Sequence, residues 1–171
     1  MKHTHLKGTT MNTLGYAGMV TLYQHTGTKK TVLARKHNEG GRALFNYLAD
    51  CLLGDFAAAK SECPTKVMLL NINDDGSITK ASNTSFIHIL TKPERVYNET
   101  DGVVRYSFIV PQDMLSTSFN AIGLYPASAT EADLEDYSAY CSIALDSNSL
   151  SLSTVLVIDW ELHISNKDGG Y

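Results

Sequence analysis

At 171 residues the chain is long enough for one domain with a substantial core and too short for two of ordinary size. Its net charge of -4 is modest and spread along the sequence, which excludes a basic stripe for phosphate binding and so direct contact with nucleic acid. No apolar run is long enough to span a bilayer and no signal-peptide core opens the chain, so neither a membrane nor secretory export is indicated.

Residues 1–12 are polar and without periodicity, and are expected to form a flexible arm. His3 and His5 stand close enough to share a metal, but two imidazoles on a mobile tail hold one weakly, and a solvated arm is the simpler account. Residues 14–24 and 30–36 predict an antiparallel hairpin around His25-Thr-Gly-Thr28, with Gly27 free to take a positive φ. One short helix is expected at 39–53. Asn38 would cap it, Glu39 adds negative charge to its first turn, and Gly54 can close it in a left-handed conformation. Leu44, Leu48, Cys51 and Leu52, widened by Phe45, form the stripe that should cover one end or face of a sheet. Residues 55–64 read as a loop with a helical turn through the alanines.

Residues 66–72 predict an apolar strand that runs into the turn Asn73-Asp-Asp-Gly-Ser77, and residues 86–90 a short strand. Residues 95–97 and 103–110 are the arms of a hairpin around Asn98-Glu-Thr-Asp-Gly102, the second arm ended by Pro111. Residues 118–125 form a strand stopped by Pro126, and 127–136 an acidic surface loop with a helical turn. A strand at 140–145 and a turn at 146–151 lead to the last strand, 153–166. There Leu156, Ile158, Trp160, Leu162 and Ile164 share one side, while Val155, Val157, Asp159, Glu161 and His163 share the other. This is the expected sheet centre, with one buried face. Residues 167–171 should fray, leaving 13–166 as one domain. Strands at about ten-residue spacing predict a mainly β chain: an antiparallel, jelly-roll-like β-sandwich with one short helix.

Cys51, Cys63 and Cys141 are odd in number and lack CxxC spacing. Cys51 falls on the helical pattern and Cys141 on a strand pattern, so both are expected as small buried apolar residues, reduced as in cytoplasm. Asn71, Asn73, Asp75 and Gly76 imitate the start of a calcium loop, but the twelfth position is Ser82 where a bidentate Glu is needed. An Asx-rich turn is the simpler account, and no metal or cofactor is expected. Asp159, Glu161 and His163 project from one strand face about 7 Å apart, and without a nucleophile they are read as facing solvent or a partner. His25, His37 and His88 have no nucleophile at a recognisable spacing, and Ser116-Thr-Ser118 lacks the glycines of a nucleophile elbow. Gly40-Gly41 precedes the helix, but Glu39 argues against an anion there. No enzyme is expected. Trp160 reads as a core anchor, and Tyr16, Tyr23, Tyr97, Tyr106 and Tyr125 as the better candidates for exposed aromatic contacts.

Several pieces in this order resemble small virion structural proteins of tailed bacteriophages. They are the hairpin into His37-Asn-Glu-Gly40, the helix motif Leu44-Phe45-x-x-Leu48, Ser118-Phe-Asn-Ala-Ile-Gly-Leu-Tyr125, Tyr140-Cys-Ser-Ile-Ala-Leu145 and Ile158-Asp-Trp-Glu-Leu-His-Ile164. The similarity is scattered over most of the chain beyond its first dozen residues and is to tail, fibre-attachment and head-decoration modules. It implies assembly in the host cytoplasm into a virion, as an adaptor or decoration subunit docking on tail, portal-region or capsid subunits and anchoring a fibre. It also implies a homo-oligomer. Subunit contacts are expected through the hairpin tip Asn98, Glu99 and Asp101, the acidic loop Glu131, Asp133 and Glu135, and the arm at 1–10. The alternative is a carbohydrate-binding or adhesin-type β-sandwich module that uses exposed tyrosines.

Overall fold

The computed structural model describes residues 14–38, 42–90, 92–97, 102–114, 118–134, 141–144 and 155–166. The expected arm, the frayed tail and the hairpin tip with Asn98, Glu99 and Asp101 lie outside these residues, as does Glu135. The first hairpin is β1 (Leu14–Thr26) and β2 (Lys29–Asn38), turning at Gly27 with φ +60°. Helices α1 (Arg42–Leu53) and α2 (Phe56–Glu62) follow, then β3 (Pro64–Ile72), β4 (Ile78–Lys80) and β5 (Ile87–His88). A second hairpin, β6 (Glu94–Tyr97) and β7 (Gly102–Val110), leads through β8 (Ala121–Pro126) and β9 (Cys141–Ala144) to β10 (Val155–Asn166).

Every strand pair among the described residues is antiparallel. One sheet runs β2–β1–β10–β7–β6, the other β4–β3–β8–β9, with β5 on the edge of β3 that β8 leaves open. As expected of the carboxy-terminal strand, β10 lies inside its sheet, between β1 and β7. Register places Trp160 between Val20 and Tyr106, and Ile158 between Leu22 and Phe108. These side chains join Val67, Leu69, Ile122 and Leu124 of the second sheet in a single buried cluster. Each large side chain fully removed from water contributes ~1.5–3 kcal/mol, so this shared cluster is the main source of stability. Met68, Leu70, Ala121 and Tyr125 face the other way and are covered by Ala129 and Leu134 from the loop after β8. That second cover explains why Val67-Met-Leu-Leu70 is uninterrupted: β3 is buried on both faces, and a strand so placed has no wet side to alternate toward.

The helical region departs from expectation. The β1–β2 ladder extends to Gly18 opposite Asn38, so Asn38 ends a strand instead of capping a helix, and α1 starts at Arg42. Gly54 does close α1, at φ +76°, with Gly54 N–H donating to Cys51 C=O (3.3 Å) and Asp55 N–H to Asp50 C=O (3.0 Å). This crossed pair of bonds is a Schellman stop. Two helices stand where one was expected, because Asp55 caps the alanine segment by accepting from Ala58 N–H at 3.1 Å. The stripe is also narrower than the spacing predicts. Tyr47 and Leu48 pack on the core, whereas Leu52, in the last turn, overhangs it and is 84% exposed. Cys51 is half-buried, not fully so.

Candidate functional site

Two surfaces carry the chemistry of the described residues: the outer face of the first sheet and the turn between α1 and α2. The outer face follows from register, because directly paired residues share a side. One row across it reads Val32, Tyr23, Val157, Ile109; the next reads Arg35, Thr21, Asp159, Ser107; the third reads His37, Met19, Glu161, Arg105, Glu94. The first row is mostly apolar, and the other two are polar apart from Met19.

In the polar rows the carboxylates of β10 are met by neighbours on both sides. Ser107 donates to Asp159 Oδ1 at 2.8 Å, and Lys30 Nζ stands 3.7 Å from Asp159 Oδ2 while lying 3.5 Å over the Tyr23 ring. Arg105 donates through Nε (2.9 Å) and Nη2 (2.6 Å) to Glu161 Oε1. That bond makes the guanidinium hold its proton more tightly, against a smaller loss from burial. His163 Nε2 stands 3.5 Å from Glu161 Oε2 and has no hydrogen-bond partner among the described residues. Asp159 and Glu161 are therefore not turned to open water; their side chains keep only 13% and 18% exposure. The acid-acid-imidazole set on β10 is brought together as its spacing predicts, but its chemistry is that of ion pairs tying β10 to β7. Sequence reasoning missed Lys30, Arg105 and Ser107, since only cross-strand register puts them beside the carboxylates.

The apolar row leaves Val32 56%, Ile109 40% and neighbouring Val155 47% exposed. At the helical turn exposure is greater: Leu52 84%, Leu53 81% and Phe56 74%. The Schellman stop at Gly54 and the Asp55 cap hold these three at a fixed turn.

The remaining expected sites are accounted for as follows. Asn73 and Asp75 are turned on Ser77: Asp75 Oδ1 accepts from Ser77 N–H (2.9 Å) and Oγ (2.6 Å), and Asn73 Nδ2 donates to Ser77 Oγ (2.9 Å). Those bonds hold the Asp75 carboxyl below its usual range. Asn71 lies on β3, opposite Thr79 of β4. Among the described residues no three His, Cys, Asp or Glu side chains converge as a metal site. In the acidic loop Glu131 is paired with Lys80 at 2.6 Å, and Asp133 belongs to a short 3-10 turn beside it. Two of the five tyrosines expected at the surface are buried. Tyr106 falls opposite Trp160 on the inner face, and Tyr125 lies against Phe86, ring centroids 5.3 Å apart. No helix among the described residues is long and apolar enough to cross a membrane.

No family model matches the chain. No curated protein and no solved structure matches it either.

Proposed function

We propose that the protein is a structural component of a phage particle, an adaptor or decoration subunit that docks on tail or capsid. Its finer architecture in this reading is a β-sandwich, jelly-roll-like in that the first and last strands, β1 and β10, pair side by side and the two sheets share one core. The observation that carries the reading is the turn between α1 and α2. Three large apolar side chains at 74–84% exposure, on a backbone fixed by two hydrogen bonds and a cap, are what a contact surface presents before its partner arrives. The resemblance to phage virion proteins supplies the class of partner, and repeated copies around a symmetric particle supply the homo-oligomer.

Quantitative mass spectrometry of purified particles from a host carrying this gene tests the reading. The chain is expected in the particles at a fixed ratio to the capsid or tail subunits. A Leu52→Ser/Leu53→Ser/Phe56→Ser variant should fold, with an unchanged melting temperature, and be lost from them. Absence of the wild-type chain from particles, or full incorporation of the triple variant, would sink the proposal.

A further inference from the structure

The outer face of the first sheet is a surface that the docking turn does not use, and its charges fall in columns along the strands. On β2 they are Lys30, Arg35 and His37, and on β10, two strands away, they are Asp159 and Glu161. Between them β1 presents Tyr23, Thr21 and Met19, which carry no charge. No aspartate or glutamate occurs anywhere in residues 14–38, so the hairpin side of the face is basic throughout. Val32, Arg35 and His37 are all exposed. Register sets them level with β10: Val32 shares a row with Val157, Arg35 with Asp159, and His37 with Glu161. Each pair straddles β1 by one strand spacing, about 4.8 Å, on either side.

We propose that this face binds a second copy of itself, in a dimer whose two-fold axis runs parallel to β1 and above it. Such an axis keeps height along the strands and exchanges the two sides of β1, so β2 of each copy lies over β10 of the other. Arg35 then stands over the second copy's Asp159, His37 over its Glu161, and Val32 over its Val157, each pair occurring twice. Tyr23, Thr21 and Met19 meet their own counterparts at the axis. An axis set across the strands would stack β2 on β2, cation on cation, so charge selects the first arrangement. Sheets of like twist cross at about 30°, which keeps the match closest at Thr21 and loosens it toward the ends. Arg35 brings a planar fork to a carboxylate that Lys30 reaches only at 3.7 Å. His37 can donate to Glu161, whose Oε1 is taken by Arg105 and whose Oε2 has His163 at 3.5 Å. The overlap of three strands and three rows measures about 15 Å by 20 Å, the small end of specific interfaces, so the dimer is weak and reversible. It rests on the proposed function only for the expectation of more than one copy, since none of Leu52, Leu53 and Phe56 belongs to these rows.

Analytical ultracentrifugation of the purified full-length chain, with no particles present, measures the contact. Between about 1 μM and about 1 mM the chain should pass from monomer to dimer, and high salt should shift it back toward monomer. Arg35→Glu and Val32→Glu should each raise the dissociation constant about tenfold or more, with the melting temperature of the dilute chain unchanged. Lys60→Glu, the same charge change on exposed α2, should leave the dimer as it is in wild type. The Leu52→Ser/Leu53→Ser/Phe56→Ser chain should dimerise normally, which separates this contact from docking. A chain that is missing from particles yet dimerises through Arg35 and Val32 supports the dimer and sinks the docking role. A chain that enters particles but stays monomeric at every concentration overturns the dimer alone. A dimer indifferent to both Arg35→Glu and Val32→Glu, or one abolished by the triple serine variant, overturns it as well.

Discussion

Gly123 in β8 offers a sharp test of how the second sheet is covered. A Cβ at Gly123 would stand 2.9 Å from Cζ and Oη of Tyr125 and nearer still to Cε2, because the Tyr125 ring folds back over the glycine two residues before it. An exposed ring would swing aside at little cost. This one is fully buried, with Phe86 against one side and its hydroxyl 3.5 Å from Leu134 C=O. Gly123→Ala must therefore push the ring by about an ångström into a packed cluster, which costs ~1–3 kcal/mol, less ~0.5–1 kcal/mol recovered from the stiffer unfolded chain. A net loss of ~1–2 kcal/mol lowers the melting temperature by about 3–8 °C in a domain of this length. In a Tyr125→Val background no ring overlies the glycine, and the same Gly123→Ala change should become neutral or stabilising. Urea and thermal unfolding of the four chains of this cycle measure it. A Gly123→Ala chain as stable as wild type, or the same penalty with and without Tyr125, would show that the ring does not lie over the strand.

Two further outcomes follow from the ionisable groups. Burial raises the Tyr125 phenol to about 12, above its unfolded value near 10, so the stabilisation from keeping it neutral is complete below pH 10 and is lost as pH climbs from 10 through 12. Tyr125→Phe should remove ~2–3 kcal/mol of that alkaline loss in urea unfolding series between pH 9 and 12, and an unchanged slope would contradict the burial. A double-mutant cycle of Arg105→Met and Glu161→Gln should give a coupling of only ~0.5–1 kcal/mol, because Arg105 keeps 34% exposure, and that coupling should shrink in high salt.

Much of the inward-facing side of the strands was readable because period-two patterning reports the buried face directly, whereas strand order is set by long-range pairing that the pattern does not carry. The last strand is the clearest case: Leu156, Ile158, Trp160 and Leu162 are all inside, and its polar alternates are outside. Tyr106 and Tyr125 were misplaced because tyrosine suits either side of a sheet. Parity with Phe108 and Val110 was the available signal for Tyr106. Leu52 was misplaced for a different reason: helical spacing says which residues share a face, not where the helix outruns the layer it covers. Asn38 shows the same limit at the other end of α1, since a residue suited to capping was taken by a ladder reaching back to Gly18. Among the site residues, the grouping of Asp159, Glu161 and His163 could be read from one strand, but the cations that occupy them arrive from β2 and β7 through long-range register.

The two exposed apolar surfaces differ in what they can contribute to docking. Full burial of a large aliphatic or aromatic side chain is worth ~1.5–3 kcal/mol, so Leu52, Leu53 and Phe56, each about four-fifths exposed, hold roughly 4–7 kcal/mol in reserve. Val32, Ile109 and Val155 are smaller or half-covered and hold about half of that. Association itself costs on the order of 4–15 kcal/mol in lost rigid-body freedom. One turn set against one partner therefore comes close to balance and gives weak, reversible contact. The balance changes when copies are already joined in a ring, because each further turn docks without a new rigid-body cost and effective concentration replaces free concentration. A subunit built this way stays apart while it is monomeric and holds firmly once it is one of several. The turn thus ties the proposed docking role to the proposed oligomer: a chain that stays monomeric yet binds its partner tightly through Leu52, Leu53 and Phe56 would break both together.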